Sequence, residues 1–107
     1  MTYKILLAET AESDMYGIHE YVEFHDSLQR ADKLLEGIEQ TVFSLETMPQ
    51  RGHCSPELLR LGHQEYREIH FKPYRIIYSI QDRNVIVNSI LDGRRDMQTL
   101  LQQRLLR

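Results

Sequence analysis

The sequence predicts an α+β fold with an N-terminal strand, an antiparallel helical hairpin, a three-stranded antiparallel meander and a short C-terminal element. Three observations lead to this prediction. Apolar residues recur at helical spacing over residues 11–45, the apolar period changes to two beyond residue 63, and prolines and glycines concentrate between these regions. A chain of 107 residues is expected to form a single domain, residues 1–107, whose core needs no disulfide bonds.

The first half of the chain predicts a strand followed by two helices. Residues 2–8 alternate weakly and then run apolar, which indicates a short buried strand. Apolar residues then recur every three or four positions, as on one face of an amphipathic helix, at Ala11, Met15, Ile18 and Val22. A second apolar stripe covers residues 31–45, and Thr10 and Asp26 are expected to cap the two helices. Because only a few residues join them, the helices should form an antiparallel hairpin.

The second half predicts a loop and then three strands. Two prolines and two glycines within residues 49–62 indicate a loop with one helical turn at residues 57–60. Strands are expected over residues 63–71, 74–81 and 85–91. Residues 96–106 form either a last helix or a tail that orders only on a partner. In this order of elements no helix covers the second face of the sheet, so that face is expected to be open to a partner.

Charge is distributed unevenly along the chain. Residues 1–49 carry three basic and ten acidic side chains, whereas residues 50–107 carry ten basic and six acidic ones. The basic half predicts a surface for nucleic acid or an acidic partner. The alternative is a solvated surface with internal ion pairs between the two halves. A pI near 5.9 does not favour a general DNA-binding protein.

The cellular setting follows from what the sequence lacks. Cys54 is the single cysteine, so no internal disulfide forms and a reducing compartment is expected. No apolar run approaches the ~20 residues that span a bilayer, and the apolar stretch at the start is too short for a secretory signal. The sequence therefore predicts a cytoplasmic protein with no membrane partner.

Few residues have the spacing of a chemical site. The five histidines show no metal-ligand spacing, so neither a metal nor a cofactor is expected. His70 is either a hydrogen-bonded sheet residue or a general acid or base. Arg75 lies within a strand, so it must be paired, for example with Glu68 on the next strand, or must face the open side of the sheet.

Several segments in order resemble the RelE/ParE superfamily of toxins from bacterial type II toxin–antitoxin modules, over nearly the whole chain. The first helix of that family resembles residues 11–21, and its following loop resembles Pro49-x-x-Gly52. Its paired strands resemble residues 67–69 and 73–78, and the end of its last strand resembles residues 92–96.

The resemblance implies two alternative activities, and a third alternative is an inactive relic that only binds the antitoxin. RelE-like members cleave messenger RNA in the ribosome, and characterised ParE-like members poison DNA gyrase. If the chain is a ribonuclease, the matching catalytic positions are Arg67, Arg75, Arg95 and His70. The strands lack the RelE-like lysine, and Leu101 stands in place of a C-terminal tyrosine. The sequence is therefore closer to the ParE-like branch.

In a ParE-like toxin, the target would be contacted by basic residues of the sheet and tail, namely Arg75, Arg94, Arg95, Arg104 and Arg107. The last two are expected on a terminal segment with little core around it, which leaves that segment free to move. The resemblance also implies a cognate antitoxin in a hetero-oligomer. Its extended segment is expected to cover the helical hairpin and the open sheet face.

Overall fold

The structure, a computed structural model, describes residues 2–106. Its elements in chain order are β1 (Lys4–Leu7), α1 (Glu9–His25), α2 (Leu28–Phe43), a 3-10 turn (Ser44–Glu46), β2 (His53–Cys54), α3 (Pro56–Arg60), β3 (Tyr66–Phe71), β4 (Tyr74–Gln81), β5 (Asn84–Asp92) and α4 (Met97–Leu105). The strands form one sheet in the order β1-β5-β4-β3-β2. β1 runs parallel to β5 and the other pairs are antiparallel, so the predicted α+β fold and meander are confirmed.

The helical hairpin packs on one face of the sheet, where it builds the larger core. Its buried residues come from both helices, the 3-10 turn and the three long strands: Ala11, Ile38, Val42, Leu45, Ile69, Ile76, Tyr78, Val85, Val87 and Ile90. Gly37 lets α2 approach the sheet closely, because a Cβ atom there would lie 2.8 Å from Cε1 of Phe71. The apolar stripes of the two helices therefore predicted the core face correctly.

The second face of the sheet is not open as predicted, because α3 and α4 pack on it. They form a smaller core in which Leu58, Met97 and Leu101 meet Ile77 of β4 and Leu91 of β5. Leu101 is fully buried, so residues 97–105 are a docked helix and not a loose tail. The apolar side of this helix is buried against the sheet.

The N-terminal strand is exposed, contrary to the prediction of a buried one. β1 lies at the edge of the sheet, and Leu6 and Leu7 are each 38% exposed. Thr10 does not cap α1 as predicted. Its hydroxyl instead donates to the Asn88 carbonyl of β5 at 2.7 Å. Ser27, and not Asp26, caps α2 by accepting from the backbone N–H of Arg30.

The predicted loop over residues 49–62 contains two short elements, and the strand predicted from residue 63 begins only at Tyr66. β2 adds a fifth strand by pairing with β3, which places His53 opposite Glu68. Among the described residues no helix is long and apolar enough to cross a membrane.

Candidate functional site

Two adjacent arginines follow the end of β5 and remain exposed. Asp92 accepts hydrogen bonds from the backbone N–H, Nε and Nη2 of Arg94, the side-chain contacts measuring 3.0 and 2.6 Å. These bonds, above all those from the Arg94 side chain, lower the pKa of Asp92 to about 2. Arg94 is therefore oriented by a carboxylate, while its side chain is 76% exposed.

Gly93 fixes where these arginines leave the sheet. Its N–H donates to the Pro73 carbonyl at 2.8 Å, and a Cβ atom at this position would lie 2.8 Å from Cδ of Arg75. The chain therefore passes directly over the Arg75 side chain before it reaches Arg94. A side chain at Gly93 would displace the turn that carries both arginines.

A groove of about 430 Å³ runs between α1 and the end of β5. Tyr21 and Ile18 of α1 line one wall, and Tyr74, Arg94 and Arg95 line the other. The groove combines apolar ring surface with two guanidinium groups. Such a surface suits a partner segment that carries both apolar and acidic side chains.

Arg104 does not extend from a mobile tail as expected, because it is paired with Asp14 of α1. Its Nη1 and Nη2 donate to the two Asp14 oxygens at 2.6 and 2.9 Å, and this pairing raises the pKa of Arg104. Asp14 also accepts the N–H of Ile90 at 2.9 Å, beyond the point where β1 stops pairing with β5. Asp14 thus connects α1, β5 and α4.

Replacing Asp14 with alanine is expected to lower the free energy of unfolding by about 2–3 kcal/mol, since a largely buried carboxylate with charge-assisted bonds is lost. Urea denaturation of both proteins measures the change. The matched control is Asp26→Ala, which breaks an exposed ion pair with Arg30 and should cost less than about 1 kcal/mol. Equal losses for the two variants would contradict the linking role of Asp14.

Arg75 is held in an internal ion-pair cluster, as one of the two predicted alternatives had it. It donates to both oxygens of Glu57 in α3 and to both oxygens of Glu68 in β3. Hydrogen bonds from Arg75 lower the pKa of Glu57. The bonds to Glu57, and to a smaller extent those to Glu68, raise the pKa of Arg75. The Arg75 side chain is only 14% exposed. Its guanidinium donors are engaged by the two glutamates.

The other predicted catalytic positions make different contacts. Arg67 donates to the Gly52 carbonyl at 2.6 Å, and Arg95 is exposed in the turn that follows β5. His70 Nε2 lies 2.5 Å from Glu68 Oε2, which fits the hydrogen-bonded sheet histidine of the two alternatives. Arg107 lies outside the described residues.

Sequence reasoning missed three partners of these side chains: Asp14, Glu57 and His53. Asp14 lies off the predicted apolar stripe of its helix, and Glu57 begins the helical turn predicted at residues 57–60. His53 joins Glu68 and His70 only through the register of a two-residue strand. The single signal in the sequence was the spacing of Glu68 and His70, since residues two apart on a strand share a face.

The outer surface of the hairpin exposes large apolar side chains. Tyr16, Tyr21 and Phe24 of α1 are 75%, 63% and 85% exposed. Tyr16 lines a groove of about 540 Å³ between α1 and α2, with Met15 and Leu35 among its other lining residues and acidic side chains around it. Large exposed apolar patches are typical of interaction surfaces.

The fold is shared with chains of solved toxin–antitoxin systems. A structure of the chromosomal ParDE toxin–antitoxin system from P. aeruginosa matches with a TM-score of 0.70 and 14% identity, over 82% of this chain and 92% of that chain. The RelBE2 toxin–antitoxin complex from Mycobacterium tuberculosis matches with a TM-score of 0.62 and 18% identity, over 86% and 92%. The chain therefore shares the fold of chains in these two systems.

Sequence comparison identifies the family. Residues 5–97 match the family described as the ParE toxin of the type II toxin-antitoxin system, parDE. The protein belongs to this ParE toxin family, which confirms the resemblance to the ParE-like branch. No curated protein sequence matches the chain.

Proposed function

We propose that this protein is the toxin of a type II toxin–antitoxin pair, that it inhibits growth by poisoning DNA gyrase, and that a cognate antitoxin neutralises it. Membership of the ParE toxin family supports the first part. The observation that carries the proposal for the target is the exposed Arg94–Arg95 pair at the end of β5. These two arginines belong to the predicted target-binding set and remain exposed, although Arg94 pairs with Asp92. Arg75 and Arg104 are instead partly buried in their ion pairs.

Two structural features favour gyrase poisoning over messenger RNA cleavage. Arg67 and Arg75, which a RelE-like ribonuclease would need, are engaged with the Gly52 carbonyl and with two carboxylates. Leu101, at the position of the RelE-like tyrosine, is buried against Ile77 and Leu91. It seals the sheet and cannot reach a substrate without unpacking α4.

We place the antitoxin on the outer surface of the hairpin. The exposed aromatic side chains of α1 and the adjacent groove between α1 and α2 supply apolar area for an amphipathic segment that folds on binding. Acidic side chains of that segment would lie near Arg94 and Arg95, which line the groove beside Tyr21 of α1. The open sheet face that was expected to share this role is covered by α3 and α4.

The target is tested with purified protein in two parallel assays. Supercoiling of plasmid DNA by gyrase should fall, with accumulation of cleaved DNA, and the cognate antitoxin should reverse both effects. Primer extension on translated messages should show no new 5′ ends. New ends that depend on the ribosome, with unimpaired supercoiling, would contradict the gyrase proposal and favour the RelE-like alternative.

A further inference from the structure

We propose that His53, Glu68 and His70 form a binding site for a divalent transition-metal ion, with Zn²⁺ as the best-matched ion. The site lies on the sheet face that carries α3, and it is independent of the proposed action on gyrase. The register of β2 against β3 places His53 opposite Glu68, and His70 follows on the same face of β3. One potential ligand atom from each residue lies within 4.8 Å of the other two.

One of the two ligand distances matches a tetrahedral ion, and the other is a hydrogen bond that the ion would replace. Zinc bonds of about 2.0–2.2 Å place neighbouring ligand atoms roughly 3.3–3.6 Å apart. His53 Nε2 lies 3.6 Å from Glu68 Oε2, and His70 Nε2 lies 2.5 Å from the same oxygen. Rotation of the half-exposed His70 ring away from Glu68 admits an ion between the three atoms.

The surroundings of Glu68 supply the support that a ligating carboxylate needs. Glu68 is 1% exposed, and Arg75 donates to both of its oxygens, which holds the group in place. The positive charge of Arg75 alone would oppose a cation. Glu57, bonded to the same guanidinium, offsets that charge, so the two carboxylates and one arginine leave a net negative charge for the ion.

The two histidines leave the site accessible from solvent. The side chain of His53 is 62% exposed and that of His70 is 41% exposed, so an ion can enter and a water molecule can take a fourth position. The ring centroids lie 5.4 Å apart at an interplanar angle of 86°. Cys54 belongs to the opposite face of the sheet, because successive strand residues alternate.

Isothermal titration of untagged, chelator-treated protein with ZnCl₂ tests the site. We expect one ion per chain, and His53→Gln and His70→Gln should each weaken binding about tenfold or more. His63→Gln is the matched control, since His63 also lies 3.6 Å from a glutamate, Glu65, but outside the cluster. This variant should bind as tightly as the wild type.

A Co²⁺ titration gives a second readout. The wild type should develop visible absorption bands typical of tetrahedral nitrogen and oxygen ligation, and Zn²⁺ should abolish them. Far-UV circular dichroism confirms that each glutamine variant is folded, which the exposure of both histidines leads us to expect. Absence of saturable binding, or binding that His53→Gln and His70→Gln leave unchanged, would overturn the proposal.

Discussion

Replacing Arg75 with methionine is expected to lower the free energy of unfolding by about 3–5 kcal/mol. Methionine fills much of the same volume but removes the cation that bonds Glu57 and Glu68. Glu68 is 1% exposed, so its charge would remain buried with only histidines nearby. Urea denaturation followed by circular dichroism measures the loss.

The pH dependence separates charge from packing in this variant. Arg75 lowers the pKa of Glu57 below its usual 4.5, so the stabilisation from this pair is present above 4.5 and is lost as the pH falls through the lowered value. The difference between Arg75→Met and the wild type should therefore narrow in acid. A difference that stays constant with pH would indicate lost packing alone.

The control for Arg75 is another arginine in an ion pair that solvent reaches. Arg30→Met breaks the contact with Asp26, in which the two side chains are 75% and 49% exposed. This change should cost less than about 1 kcal/mol, because water and salt screen the pair. A loss at Arg75 as small as that at Arg30 would contradict the structural role of the cluster.

The long elements of the fold were predictable because their patterns repeat. The apolar stripe from Ala11 to Val22 repeats over several turns of α1. Residues 74–81 were predicted as a strand, and β4 has the same bounds. β2 and α3 have two and five residues, which is too short for a repeating apolar pattern to be recognised in the sequence. They form because β3 offers a free edge and because Leu58 reaches the sheet.

The candidate site was predictable only in part, for a related reason. The exposed pair Arg94–Arg95 follows a glycine at a strand end, and that position is local in sequence. The fate of Arg104 depends on Asp14, which lies 90 residues away, and the histidine cluster depends on the register of β2 against β3. Pairings of this kind are set by tertiary packing and leave no periodic signal.

Replacing both Arg94 and Arg95 with alanine is expected to abolish growth inhibition and the effect on gyrase. The two guanidinium groups supply planar donors for carboxylate or phosphate groups of the target. Both side chains are exposed, so the melting temperature should stay at the wild-type value. Antitoxin binding should weaken less, because the apolar surface of α1 is unchanged.

Two matched variants make this result specific. Arg30→Ala with Lys33→Ala removes the same charge from α2 and should leave toxicity intact, which separates the location of the charge from its amount. Arg94→Lys with Arg95→Lys keeps the charge but loses the planar donors, and it should retain only part of the activity. Thermal melting, growth after induction, gyrase supercoiling and antitoxin pull-down are measured on all three. A double alanine variant that melts normally and still kills like the wild type would exclude Arg94 and Arg95 as the target-binding site.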